Sequence, residues 1–145
     1  MTTQGRIEPP AAIAFIGLGN MGQPMGACLQ RAGYQVTGFD LSPQARATFA
    51  REAGARTVDS AEQAVRGADV VITMVPTGKI VRDLLAVLQP RMKSGALIID
   101  MSSSEPLGTR EIGERMIAAG HGFIDAPVSG GVRRAVDGSL SIMAG

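Results

Sequence analysis

The stretch F-I-G-L-G-N-M-G carries Gly17, Gly19 and Gly22 in the order G-x-G-x-x-G, with Leu18, Asn20 and Met21 between them. Glycine at the first position permits a tight turn, and at the second it lets the backbone approach a pyrophosphate. At the third it lets a helix pack closely on a strand. Unpaired N–H groups and the positive end of the helix then receive the phosphates. The spacing alone is a weak signal in a chain with 19 glycines. Its weight comes from the apolar run before it and the helical pattern after it. Asp40 closes the next apolar run, where a carboxylate accepts hydrogen bonds from both adenosine ribose hydroxyls and repels a 2′-phosphate. The competing role for Asp40, capping the following helix, is weakened because Ser42-Pro43 already supplies that cap. No arginine directly follows Asp40, although Arg46 stands one helical turn later. The pattern therefore favours NAD over NADP. A second place where bare backbone invites close approach is Ser129-Gly130-Gly131, within D-A-P-V-S-G-G.

Positioning such groups takes an alternation of strands and helices, and the chain shows one. Apolar runs at 12–16, 34–39, 69–75, 96–101 and 121–126 read as strands, with weaker ones at 55–58 and 139–144. Helical patterns lie between them, at about 21–32, from Ser42, from Ser60 to about Arg66, at 78–88 up to Pro90, and at 105–119. A further helix starts near Val132. The strands lack polar alternation, so both faces of each are expected to be covered. This spacing argues for a doubly wound, mostly parallel α/β sheet. Residues 1–11 read as a flexible extension and 12–145 as one dinucleotide-binding domain, with no linker inside it.

Composition narrows the function. A formal net charge of +1 and an aromatic share of 3% give no electrostatic or stacking case for nucleic acid. No apolar run approaches the roughly 18 residues of a membrane span, and the first ten residues lack the apolar core of a signal peptide. The single cysteine, Cys28, allows no internal disulfide and lies among apolar residues as a buried thiol, so a cytoplasmic setting is expected. His121, the only histidine, follows Gly120 at a helix end and reads as a C-terminal cap.

Three segments together, F-I-G-L-G-N-M-G-Q-P-M, D-M-S-S-S-E-P and D-A-P-V-S-G-G-V-R-R-A-V-D-G-S-L-S-I-M-A-G, resemble the β-hydroxyacid dehydrogenase family from about Ile13 to Gly145. That family includes 3-hydroxyisobutyrate dehydrogenase and tartronate semialdehyde reductase (2-hydroxy-3-oxopropionate reductase). The resemblance implies a Rossmann-like domain that binds NAD, with a C-terminal helical domain absent here. It implies that Val75 and Pro76 of M-V-P-T contact the cofactor, and that Ser103 reaches the nicotinamide ribose or substrate. Ser103 also reads as a helix cap, a role Ser104 could equally fill. Ile80 stands where the family often has Asn or His, and Lys79 beside it reads as a solvated helix start. Ser129, Gly130 and Gly131 match the substrate loop, suited to a small hydroxy acid or semialdehyde, and Asp125 is expected to fix that loop by hydrogen bonding. The family departs from 6-phosphogluconate dehydrogenase here, because Val132, Arg133 and Arg134 replace an acidic pair.

The family's proton-transferring Lys lies beyond the D-A-P-V-S-G-G strand, and neither Lys79 nor Lys93 matches it. No catalytic residue is therefore expected within the chain, and weak or absent turnover is expected of it alone. The resemblance also implies a homo-oligomer, formed through the absent domain. The alternative function is a non-catalytic dinucleotide sensor or scaffold, which would have no need of the Ser129-Gly130-Gly131 motif.

Overall fold

The apolar runs become strands because helices cover both of their faces. A computed structural model describes residues 7–102, 106–129 and 131–142. Strands β1 (Ala12–Ile16), β2 (Gln35–Phe39), β3 (Arg56–Thr57), β4 (Val70–Thr73), β5 (Leu97–Asp100) and β6 (Gly122–Asp125) form one parallel sheet in the order β3-β2-β1-β4-β5-β6. The helices are α1 (Gly22–Arg31), α2 (Pro43–Ala53), α3 (Ala61–Val65), α4 (Gly78–Leu88), α5 (Pro106–Ala118) and α6 (Gly131–Asp137). Successive side chains of a strand point to opposite faces. Ala14 and Ile16 accordingly join a core with Val65, Leu85 and Ile112 of α3, α4 and α5. Ile13 and Phe15 join another with Met25, Phe49 and Ala135 of α1, α2 and α6.

Local signals set the helix starts. Ser42 Oγ accepts from the Ala45 amide at 3.1 Å, Ser60 Oγ from Gln63 at 3.1 Å, and Thr77 Oγ1 from Ile80 at 3.2 Å. At the end of α5, Gly120 adopts φ +94° and the His121 amide donates to Met116 O, closing the helix in a Schellman arrangement. The cap role of His121 is thus played by its backbone. Its ring is buried, with Nε2 beside Gln89 Nε2. Cys28 is only half-buried, and its thiol donates to Ala135 O at 3.2 Å where α1 meets α6.

The seventh strand departs from expectation. Ser141–Ile142 (β8) pairs antiparallel with Val128–Ser129 (β7) in a separate two-stranded sheet, and residues 143–145 lie outside the described ones. A parallel return needs a crossover long enough to carry the chain back along the sheet. Only the eleven residues 130–140 separate the two strands, short of the dozen or more that such a crossover takes.

Gly26 and Gly38 clasp the buried ring of Phe49, and a Cβ on either would lie 2.7 Å from ring carbons. For Gly26→Ala, helix propensity favours Ala by about 1 kcal/mol, whereas overpacking costs about 1–3 kcal/mol. The clash should win. Chemical denaturation should show Gly26→Ala less stable by about 1 kcal/mol, and Phe49→Leu in the same chain should recover part of the loss.

At the amino edge of the sheet, Asp69 accepts from the Ala12 amide at 2.9 Å and pairs with Lys93. The Lys93 hydrogen bond, followed by the Ala12 amide, holds the Asp69 carboxyl below its usual range despite some desolvation. A lowered folded-state pKa contributes stability above the unfolded value, which is lost as pH falls through the folded value. Asp69→Asn should therefore cost about 0.5 kcal/mol near neutral pH, because the pair is solvent-screened. The difference from the parent chain should vanish in melts carried out progressively below the usual carboxylate value of 3.8.

Candidate functional site

The strand order reverses between β1 and β4, and in a doubly wound sheet ligands bind beyond the carboxyl ends of the strands at that point. A cleft of about 630 Å³ opens there. Its walls include Gly17, Gly19, Asn20, Met21 and Gly22 after β1, Asp40 after β2, and Val75 and Pro76 after β4. The fold thus brings most of the motif residues to one place.

The glycine turn is tightly built. Gly17 has φ +108°, and a Cβ there would fall 2.1 Å from Met74 O. A Cβ on Gly22 would fall 1.8 Å from Gly17 O, so α1 rests directly on the turn. Gly19 is different: a Cβ there would meet nothing within 4 Å, because it faces the open cleft. Among the described residues, the amides of Gly19, Asn20, Met21 and Gly22 donate to no acceptor. Unpaired amides and the positive end of α1 form a cradle for an anion.

Leu18 holds this turn in place. Its side chain is 1% exposed, in the core rather than in the cleft. Its amide donates to Asp40 Oδ2 at 2.8 Å, and its carbonyl accepts from Gln23 Nε2 at 3.0 Å. Asp40 Oδ1 accepts from the Ser42 amide at 2.9 Å. Each carboxylate oxygen retains a second acceptor direction, so Asp40 can hold the turn and still receive ribose hydroxyls. Nothing in the sequence marked the Leu18–Asp40 link. Arg46 donates to Asp40 O at 2.8 Å and lies 5.6 Å over the Phe39 ring. Apolar walls complete the cleft: Leu41 is 87% exposed and Ile80 42%, with Leu84 behind them. Ile80, at the position where the resembled family often has Asn or His, is part of this apolar wall and supplies no polar contact.

At the β4–β5 side, Thr73 Oγ1 donates to Asp100 Oδ1 at 2.9 Å, and Ser102 Oγ accepts from the Val75 amide at 2.8 Å. Asp125 stands in register beside Asp100 on β6. Burial, then the Asp100 charge, pushes its carboxyl above the usual range. Among the described residues the Asp125 carboxyl shows no hydrogen bond to the following loop, so the anchoring role expected of it is not seen there. Ser129 lies in β7 opposite Ser141, and Gly131 opens α6 with φ +70° and open space about it. Ser103 and Gly130 lie outside the described residues. Lys79 pairs with Asp83 on the exposed side of α4.

The family model for the NAD-binding domain of 6-phosphogluconate dehydrogenase matches residues 12–145. The chain belongs to this family. Its relatives include the 3-hydroxyisobutyrate dehydrogenase of Pseudomonas aeruginosa, 46% identical over 92% of this chain and 45% of that protein. The human mitochondrial 3-hydroxyisobutyrate dehydrogenase is 38% identical over 92% of this chain and 40% of its own length. The solved Mycobacterium tuberculosis 3-hydroxyisobutyrate dehydrogenase, with L-serine, superposes with a TM-score of 0.90 at 43% identity, covering 93% of this chain and 46% of that one. The resemblance to β-hydroxyacid dehydrogenases is thereby borne out, and the chain spans just under half the length of these relatives. It is a Rossmann-like NAD-binding domain, similar to the corresponding part of 3-hydroxyisobutyrate dehydrogenases. Among the described residues no helix is long and apolar enough to cross a membrane.

Proposed function

We propose that the carboxyl-edge cleft binds NAD and that the chain is the cofactor half of an oxidoreductase acting on a small 3-hydroxy acid or its semialdehyde, of the 3-hydroxyisobutyrate or tartronate semialdehyde type. The observation that carries this reading is the row of unpaired amides from Gly19 to Gly22 lining the same cleft as Asp40, with open space at Gly19. In it, Gly17, Leu18 and Gly22 shape the turn, while the amides of Gly19, Asn20 and Met21 hold the pyrophosphate. Asp40 takes the adenosine ribose, and Val75, Pro76 and Ser103 flank the nicotinamide half. Bound nicotinamide supplies the hydride chemistry. Ser129, Gly130 and Gly131 offer the substrate its hydroxyl and amide donors, a concavity that suits a small carboxylate. The relatives' names support the substrate class.

Hydride transfer to or from an alcohol also needs a group that moves the hydroxyl proton. The chain's two lysines are placed elsewhere, Lys79 on α4 and Lys93 at the opposite edge of the sheet. On this reading neither Lys79 nor Lys93 fills the place of the family's proton-transferring lysine, and that step is assigned to a residue outside this chain. The working unit spans residues 12–145, with 1–11 as an extension; its setting is cytoplasmic, and the complete enzyme is a homo-oligomer. The test is a fluorescence titration with NADH beside an assay of 3-hydroxyisobutyrate oxidation. Saturable binding without turnover is expected. Failure to bind NADH rejects the cofactor role, and steady turnover by this chain rejects the assignment of proton transfer to residues outside it.

A further inference from the structure

Three polar side chains lie where a parallel sheet ordinarily holds apolar ones. Thr73 and Asp100 are fully buried and Ser102 is 1% exposed. Burying polar groups is costly unless every one is bonded, and hydrogen bonds link these three to one another. Thr73 Oγ1 donates to Asp100 Oδ1 at 2.9 Å, and the Ser102 amide donates to the same oxygen at 3.0 Å. Ser102 Oγ accepts from the Val75 amide at 2.8 Å and reaches back to Thr73 O at 3.4 Å. The result is a closed circuit: Thr73 to Asp100, Asp100 to Ser102, Ser102 to Val75, and Val75 back to Thr73 along the chain.

The position of this circuit suggests its use. The sheet ladder reaches Met74, whose amide donates to Ile16 O at 2.9 Å, and Met101, whose amide donates to Thr73 O at 2.9 Å. Beyond those residues both chains leave the sheet. The first amide past the β4 ladder is that of Val75, and its acceptor is Ser102 Oγ. The same segment abuts the glycine turn, since a Cβ on Gly17 would lie 2.1 Å from Met74 O and 3.3 Å from Val75 Cγ1. A dinucleotide laid across the switch point puts its adenosine over β2, at Asp40, and its other half over β4 and β5. The circuit therefore underlies the wall that faces that second half.

We propose that Asp100, with Thr73 and Ser102, is the positioning group that fixes the nicotinamide-side wall of the cleft by locking Val75 to Ser102. None of the three need touch the ligand. The proposal rests on the NAD-binding reading above, and the experiment separates the two. The 145-residue chain is titrated with NADH and with ADP-ribose, which keeps the adenosine and pyrophosphate but lacks the nicotinamide. Amide exchange at Val75 is followed by NMR in the absence of ligand.

Ser102→Ala and Thr73→Val should weaken NADH about tenfold while changing ADP-ribose less than about twofold, the size expected when a held segment loses a hydrogen bond. Thr73→Ser keeps the hydroxyl and should stay within about twofold of the parent chain for both ligands. Val75 exchange should quicken in Ser102→Ala, with β1 amides unchanged. Equal weakening of both ligands would reveal general damage and overturn the proposal, as would unchanged Val75 exchange or unchanged NADH affinity. If the parent chain binds ADP-ribose and NADH equally well, the second half gains nothing from this wall and the proposal falls while the cofactor reading stands. If the parent chain binds neither, the cofactor reading falls and the positioning role falls with it.

Discussion

Gly22→Ala is expected to abolish measurable NADH binding and to destabilise the fold by about 2–4 kcal/mol, the upper range for forced overpacking. The added Cβ would sit 1.8 Å from Gly17 O and 2.8 Å from Gly17 C, both backbone atoms, and 3.3 Å from the Phe15 ring. A side chain can rotate away from such a clash, but a peptide group in a tight turn cannot. Nor can the turn retreat, because a Cβ on Gly17 would already lie 2.1 Å from Met74 O. The amino end of α1 must therefore lift. The amides of Gly19 to Gly22 would move with it, and an anion cradle depends on their convergence.

Gly19→Ala separates binding from stability. Its Cβ would meet no protein atom within 4 Å, so denaturation should shift by less than about 0.5 kcal/mol. The methyl would occupy the space the pyrophosphate needs, and NADH affinity should still fall at least about tenfold. Side-by-side denaturation and titration would decide the matter. A Gly19→Ala chain that binds like the parent, or a Gly22→Ala chain as stable as the parent, would contradict these assignments of the two glycines.

The contrast between those glycines shows which parts of the molecule were legible in its sequence. The strands and helices could be read because unbroken apolar runs require two covering layers, and because Ser42 and Ser60 cap where serine caps. The glycine spacing could be read because it answers to a backbone requirement that only glycine meets. What stayed hidden were contacts between segments distant along the chain. Asp40 had a ribose role by its place at the end of β2, yet its bond to the Leu18 amide depends on how two loops meet. Gly26 and Gly38 belong to no sequence motif, because the Phe49 ring between them arrives only when α2 folds over β2. In D-M-S-S-S-E-P the resemblance singles out Ser103, whereas Ser102 carries the bond to Val75. Strand register placed Ser102 there, and no local pattern encodes register across β4 and β5. The strand read at 139–144 pairs with Val128–Ser129 and not with the large sheet for a related reason: apolar content marks a strand without naming its partner.

Asp40 carries the second large effect, the choice between NADH and NADPH. A carboxylate at about 4 Å from a 2′-phosphate, near a protein surface, costs about 4 kcal/mol per pair of charges. That corresponds to several hundredfold in affinity, so NADH should bind the parent chain at least about a hundredfold more tightly than NADPH. Asp40→Asn removes the charge but keeps one acceptor oxygen. Two backbone amides, those of Leu18 and Ser42, now point at the carboxylate, and an amide group would turn its NH₂ toward one of them. NADH affinity should therefore drop by about tenfold, through the loosened turn and the weaker ribose contact. NADPH affinity should rise, because the repulsion is gone and Arg46 stands on α2 with its guanidinium already held over Phe39. In Asp40→Asn the two dinucleotides should bind within about tenfold of each other, and adding Arg46→Ala should remove part of the NADPH gain while leaving NADH nearly unchanged. Calorimetric titration of the three chains with both dinucleotides measures each step. Equal binding of NADH and NADPH by the parent chain would show that the Asp40 carboxylate does not face the ribose, and that its work is confined to holding Leu18.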